Sequence, residues 1–308
     1  MNRGAWLIAA AALALGAGVT AVVLQQQGGA AVTGPAVTAE YGQRLIRNTV
    51  QELGSGQADA ARRFSGNNLA CASCHMESGR KPGTLSLVES AAKYPAFSAR
   101  DGRQADLADR VNGCMQRSMN GRELPRDSVQ MQSMIAYIEQ LGRQQQALSE
   151  SRRQPDEPAA FIEPERAADL AHGGKVYRER CQLCHGGNGE GLEASAQVGG
   201  YLFPPLWGPD SYNIGAGMAR LLTAARFIKA RMPLGNPSLT DAEAFDVAAF
   251  MNAQPRPAPE HLEQDYPDRA RKPVDSPYPP WADAFSAEQH RLGPFAPIRA
   301  FYKKKDSR

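Results

Sequence analysis

Two five-residue stretches, Cys71-Ala-Ser-Cys74-His75 and Cys181-Gln-Leu-Cys184-His185, decide how the rest of the chain reads. Two thiols three positions apart can each bond a vinyl group of one porphyrin, and the adjacent histidine is then held beneath the iron as its proximal ligand. A structural disulfide or a zinc site would compete for the same residues. Zinc, however, wants further Cys or His partners at ligand spacing, and the sequence has none. The motifs therefore read as two haem attachment sites. Cys71, Cys74, Cys181 and Cys184 would carry two covalently bound haems c, with His75 and His185 as proximal ligands.

Working outward from each motif, the chain reads as a repeated helical module. Tyr41, Leu45 and Leu53, with Ile46 and Val50, form an apolar stripe at helical spacing ahead of the first site. Residues 168–180 do the same before the second, with Gly173, Gly174 and Tyr177 where a first helix would pack tightly. Closing helices are expected at about 128–141 and 241–252. Asp127 with Gln130 and Thr240 with Glu243 give capping-box patterns at their starts. No segment alternates with period two long enough to suggest a sheet. The expected fold class is all-α: two class I cytochrome c-like domains, residues 40–148 and 166–255, joined by a polar, proline-containing linker at 149–165. A Pro-rich and aromatic tail, residues 256–308, is too apolar to be disordered and is expected to wrap over both modules. A length of 308 residues suits two compact units.

At the N-terminus, Asn2 and Arg3 precede an uncharged apolar stretch over residues 5–24, an export signal. Its length is near the ~20 residues that span a hydrocarbon core. Cleavage, with small-residue options at Val19-Thr20-Ala21 and Val37-Thr38-Ala39, and retention as a membrane anchor both fit residues 1–39. Either outcome puts the globular part outside the cytoplasm. A net charge of +3 gives no support to a nucleic-acid partner.

The identity of each sixth iron ligand sets potential and reactivity. For the second haem, Met232 followed by Pro233 lies in residues 227–235, just before the closing helix, and offers a thioether. Lys229 is an alternative ligand nearby, less favoured than a solvated lysine. In the first module the corresponding place holds the unpaired fifth cysteine, Cys114. Arg110, Cys114 and Ser118 are four residues apart and would share one helix face, a thiol between a cation and a hydroxyl. An inert buried Cys114 with Met115 or Met119 as ligand is the competing reading. His172, His261 and His290 need no chemistry, although His290 could bond a propionate.

These residues resemble the dihaem thiosulfate dehydrogenases. The likeness runs through Asn68 to His75, Gly79-Arg-Lys-Pro-Gly83, Tyr94-Pro95, Asp109 to Cys114, Arg117 to Gly121 and Leu124-Pro125. It continues over residues 227–235 and into the tail at Tyr266-Pro-Asp268, residues 272–278 and residues 293–298. The resemblance implies a periplasmic enzyme that interconverts thiosulfate and tetrathionate and passes electrons to a small cytochrome c or a high-potential iron-sulfur protein. It also implies that Cys114 ligates the active-site haem, while Arg100, Arg110 and Ser118 line the substrate pocket. In one respect the chain departs from the family pattern. Some members carry a lysine before the distal methionine as a second ligand, whereas Arg231 stands here and cannot coordinate iron as a neutral amine.

The chemistry agrees with that implication, because gathering two dianions requires fixed cations, and Arg100 and Arg110 would supply them. Arg80, Lys81 and Arg117 are weaker candidates, the last two expected to be solvated surface charges. Two other functions use much the same residues: a sulfur-oxidation-pathway cytochrome that carries thiosulfate to a partner, and a plain dihaem electron carrier. A dihaem peroxidase fits less well, since it needs an iron that peroxide can reach.

Overall fold

A computed structural model describes residues 35–148, 150, 160–195 and 197–306. The apolar stretch at 5–24 and most of the expected linker, 151–159, lie outside the described residues. Among the described residues, no helix is long and apolar enough to cross a membrane.

The first bundle opens with α1 (Ala39–Arg47) and α2 (Thr49–Leu53), where the sequence stripe predicts a single helix. Thr38 caps α1 by accepting a hydrogen bond from the Tyr41 amide. A short ribbon, β1 (Ala96–Ser98) paired antiparallel with β2 (Arg103–Ala105), leads into α3 (Leu107–Arg117), and α4 (Val129–Ala147) closes the bundle. The cap of α4 is Ser128, accepting from the Met131 amide, rather than the expected Asp127 and Gln130 pair. The second bundle has α5 (Leu170–Arg180), the single turn α6 (Gln182–His185), a ribbon of β3 (Leu192–Glu193) and β4 (Tyr201–Phe203), then α7 (Leu221–Arg231) and α8 (Asp241–Ala253). Here the Thr240 and Glu243 capping box forms as the sequence predicts. The tail adds α9 (Ala287–Leu292) and α10 (Ala296–Asp306). The two ribbons are the departures from an all-helical reading. They are too short to show periodicity and serve as loop staples.

Each bundle is organised by the same device. An opening helix crosses its closing helix so closely that only a glycine fits: a Cβ on Gly42 would lie 1.9 Å from the Ser133 carbonyl oxygen, and one on Gly173 would lie 2.1 Å from that of Asp246. Around the first crossing, Leu45, Leu53, Met115, Leu124 and Met131 are fully buried; around the second, Tyr177, Leu221, Phe245 and Ala248. Met115 and Met119, considered as iron ligands, belong to the first core.

The bundles interlock. Tyr212, Ala216 and Ala219, which precede α7, pack into the first core, while Phe295 and Ile298 of the tail pack into the second. Asn213 donates to the Gln116 carbonyl and the Asn120 side chain at the end of α3. The tail reaches both bundles, for the Tyr266 amide bonds the Arg100 carbonyl at 2.7 Å and Asp275 pairs with Arg220.

Candidate active site

The first Cys-Cys-His turn is held from below by Thr49, whose hydroxyl accepts from the Cys71 amide at 3.1 Å and lies 3.4 Å from the Cys71 sulfur. His75 Nδ1 lies 2.7 Å from the Leu85 carbonyl oxygen. A carbonyl only accepts, so Nδ1 carries the proton and Nε2 keeps its lone pair for a metal. Leu85 holds this position at φ 62°, a left-handed conformation that costs a leucine energy.

Helix α3 brings Cys114 to the same place. The helix starts on an Asp106 and Asp109 capping box, braced outside by Arg103 and Arg126. Its far end is locked by Asn112, which both donates to and accepts from the Leu124 backbone at 3.0 and 2.9 Å. A Cβ on Gly121 would lie 2.0 Å from the Phe64 carbonyl oxygen, so the chain leaving α3 is pressed against the segment that leads to Cys71.

Three cysteines thus meet, with opposite proton affinities. Burial pushes Cys71 up to about 11 and Cys74 up to about 12. Burial also pushes on Cys114, but there the Arg110 guanidinium, the neighbouring His75 and Arg100 outweigh it and bring the thiol down to about 6. Arg110 sits one turn before Cys114, at an exposed position, and its guanidinium makes no hydrogen bond to another described residue. Arg100 comes from the β1–β2 turn and is clamped, donating to the Gly215 carbonyl at 2.8 Å and pairing with Asp265 at 3.3 Å. Ser118 is one turn after Cys114, at the end of α3, where its carbonyl accepts from Asn67.

At the second turn the neighbouring cation, Arg180, does not outweigh burial. His185 is buried, and burial holds its imidazole below the ordinary range; Nδ1 lies 2.9 Å from the Pro204 carbonyl oxygen, again leaving Nε2 free for a metal. Burial pushes Cys181 up to about 11. Cys181 and Met232 both pack against the second core, beside Trp207 and Tyr177. Met232 ends α7, its amide bonded to the Ile228 carbonyl. Lys229 is half-buried and turned to the Leu239 carbonyl, 2.7 Å off, and to Asp241 at 3.7 Å.

Both turns fit haem c: four free thiols in pairs and two imidazoles with Nε2 unprotonated. Among the described residues, no group of three His, Cys, Asp or Glu could hold a bare metal ion.

The family description "SoxA/TsdA, cytochrome c domain" matches residues 56–146, and "Cytochrome C oxidase, cbb3-type, subunit III" matches residues 168–251. A thiosulfate dehydrogenase of Stutzerimonas stutzeri is 41% identical over 214 residues, 68% of this chain and 67% of that protein. Another, of Allochromatium vinosum, is 43% identical over 200 residues, 63% of this chain and 72% of that protein. The chain belongs to the thiosulfate dehydrogenase family. A solved thiosulfate dehydrogenase, TsdBA of Marichromatium purpuratum, superposes with a TM-score of 0.63 at 34% identity, covering 72% of this chain and 47% of that one. Two cytochrome c domains, hence haem c as cofactor, and an all-α fold follow from these matches.

Two expectations are corrected within this thiosulfate dehydrogenase fold. Arg117 is no solvated surface charge, for it is mostly buried and pairs with Asp265 at 2.7 Å. His290 has no nitrogen for a propionate, because Nδ1 bonds the Val274 carbonyl and Nε2 bonds Asp283 inside the tail. Lys81 does lie at the surface, paired with Glu77, and Arg80 lies near Tyr137. Sequence reading missed Leu85, Pro204 and Asp265. The first two act through backbone carbonyls, which carry no residue signature. Asp265 stands directly before the quoted Tyr266-Pro-Asp268 and could have been suspected there.

Proposed function

We propose that this chain is a periplasmic dihaem enzyme that joins two thiosulfates into tetrathionate at Cys114, a reaction chemically able to run in either direction. The observation that carries the reading is the placement of Cys114 on α3 beside His75 and one turn from Arg110, with Arg100 close enough to act on its sulfur. Cys71 and Cys74 would attach one haem between His75 and Cys114, and Cys181 and Cys184 the other between His185 and Met232. Bound there, the haems would accept the electrons of the oxidation, the thiolate-ligated one at lower potential and the thioether-ligated one at higher, for a small cytochrome c or high-potential iron-sulfur protein to remove.

The chain's own groups do the rest. Arg110 holds Cys114 as thiolate, and Arg100 and Arg110 offset the repulsion between two dianions by pairing with sulfonate oxygens. Ser118 offers one more hydrogen bond. In the first half-reaction the Cys114 sulfur bonds the sulfane sulfur of one thiosulfate with loss of two electrons, leaving a cysteine S-thiosulfonate. The sulfane sulfur of the second thiosulfate then attacks that adduct, the bond to Cys114 breaks, and tetrathionate and thiolate are released.

The matched description SoxA/TsdA keeps a second reading in view, a carrier that loads thiosulfate onto a partner protein. A ferricyanide-linked assay with thiosulfate and no added partner separates the two. Steady turnover supports the enzyme, and its absence supports the carrier. Full turnover in Cys114→Ala with normal haem content would end the proposed chemistry.

A further inference from the structure

The tail residue Asp265 is 7% exposed and carries three partners on its two oxygens. Oδ1 receives Arg117 Nη2 at 2.7 Å; Oδ2 receives Arg100 Nη1 at 3.3 Å and the Tyr278 hydroxyl at 2.6 Å. Two guanidiniums thus share one buried carboxylate. Arg100 is fixed further by the Gly215 carbonyl and by the tail around it: its guanidinium stands 5.3 Å from the Tyr266 ring, and its own carbonyl accepts from the Tyr266 amide. The Arg110 guanidinium makes no hydrogen bond to another described residue, although its charge also bears on Cys114.

We infer that Asp265 is a positioning residue for the substrate anion, acting through Arg100, so that the C-terminal tail completes a binding site whose cations lie in the first bundle. The inference rests on the reading of Arg100 as a substrate cation. A carboxylate near an anion pocket has two opposed effects: its charge repels the substrate, and its hydrogen bonds aim the arginine. The geometry decides for aiming. The charge of Asp265 is matched by two guanidiniums in contact, and without it Arg100 and Arg117 repel each other and Arg100 loses its set direction. The ligand class is a small sulfur oxyanion with planar-paired oxygens, the kind of group a held guanidinium reads with two parallel bonds.

The test is a cycle of Asp265→Asn, Arg100→Ala and the double variant in the holoenzyme, with thiosulfate kinetics and, with Cys114→Ser added to each to block exchange at sulfur, calorimetric binding of tetrathionate to the oxidised protein. Asp265→Asn is expected to raise KM and the tetrathionate Kd roughly tenfold with kcat within about twofold. The double variant should be no worse than Arg100→Ala. Tyr278→Phe, which removes one bond to Asp265 and keeps the ring, should move KM the same way by less, and stands in if Asp265→Asn does not fold. An unchanged or lowered KM and Kd in Asp265→Asn, or in Tyr278→Phe where it stands in, overturns the inference. So does a full Asp265→Asn effect in the Arg100→Ala background. If Arg100→Ala itself behaves as wild type, Arg100 is not a substrate cation and the proposed function loses that element, which is a different failure.

Discussion

The two Cys-Cys-His turns are alike in backbone and opposite in surroundings. In both, a histidine Nδ1 is bonded to a carbonyl ten to nineteen residues downstream, Leu85 or Pro204, and in both the leading thiol, Cys71 or Cys181, is pushed up by burial. The difference lies on the far side. The first turn faces a cysteine among arginines, whereas the second lies by an aromatic cluster of Tyr177, Trp207 and Phe250 in the core against which Met232 also packs. On the proposed function, such a common scaffold would leave Cys114 and Met232 to separate chemistry from electron storage.

The comparison breaks most directly if the distal residues prove interchangeable. Cys114→Ala is expected to lower thiosulfate turnover on the order of a thousandfold, and Met232→Ala by about tenfold, both with haem retained. Ferricyanide-linked assays with a haem stain check this, and equal losses would erase the division. A smaller effect sharpens it. The reactive form of Cys114 is the thiolate, and Arg110 lowers its proton affinity, so Arg110→Met raises that affinity. The acid limb of the pH-rate profile should then move upward by about one unit relative to wild type, while Arg226→Met on α7 should leave it in place.

The bundles also differ in how they are tied. Asp246 lies buried beneath Arg166, His172 and the Asp169 amide, whereas the first bundle relies on the neutral Asn112 clamp. Asp246→Asn should cost about 2–3 kcal/mol and Asn112→Ala about 1–2 kcal/mol, read from denaturant unfolding of the holoprotein. Although burial opposes it, Arg166, the Asp169 amide and His172 hold the Asp246 carboxyl below its ordinary value. Its contribution is therefore present above about pH 4 and lost as pH falls through the depressed value. Gly42→Ala and Gly173→Ala should each cost about 1–3 kcal/mol, and near-equal values would show that the crossing is shared.

Much of this was legible because it is local. Thiol spacing, helix stripes, the Thr240 cap and the shared face of Arg110 and Cys114 are all set within a few residues. What escaped reading depends on partners far along the chain. Arg117 looked solvated because Asp265, its counter-ion, is 148 residues away. His290 looked available because Asp283 and Val274 claim it only once the tail has folded. The Gly42 crossing carried a weaker signal than Gly173-Gly174, a lone glycine in a helix, although its contact is the tighter.

Arg231 looked informative only as a side chain unable to bind iron. In the structure its guanidinium bonds the carbonyls of Pro82 and Thr84, one residue short of the leucine that holds His75. Met232 is its next neighbour in the chain. The residue next to that methionine is thereby tethered to the loop of the opposite bundle that bears on the other imidazole, so the two haem-attachment modules share a polar cross-brace at this point.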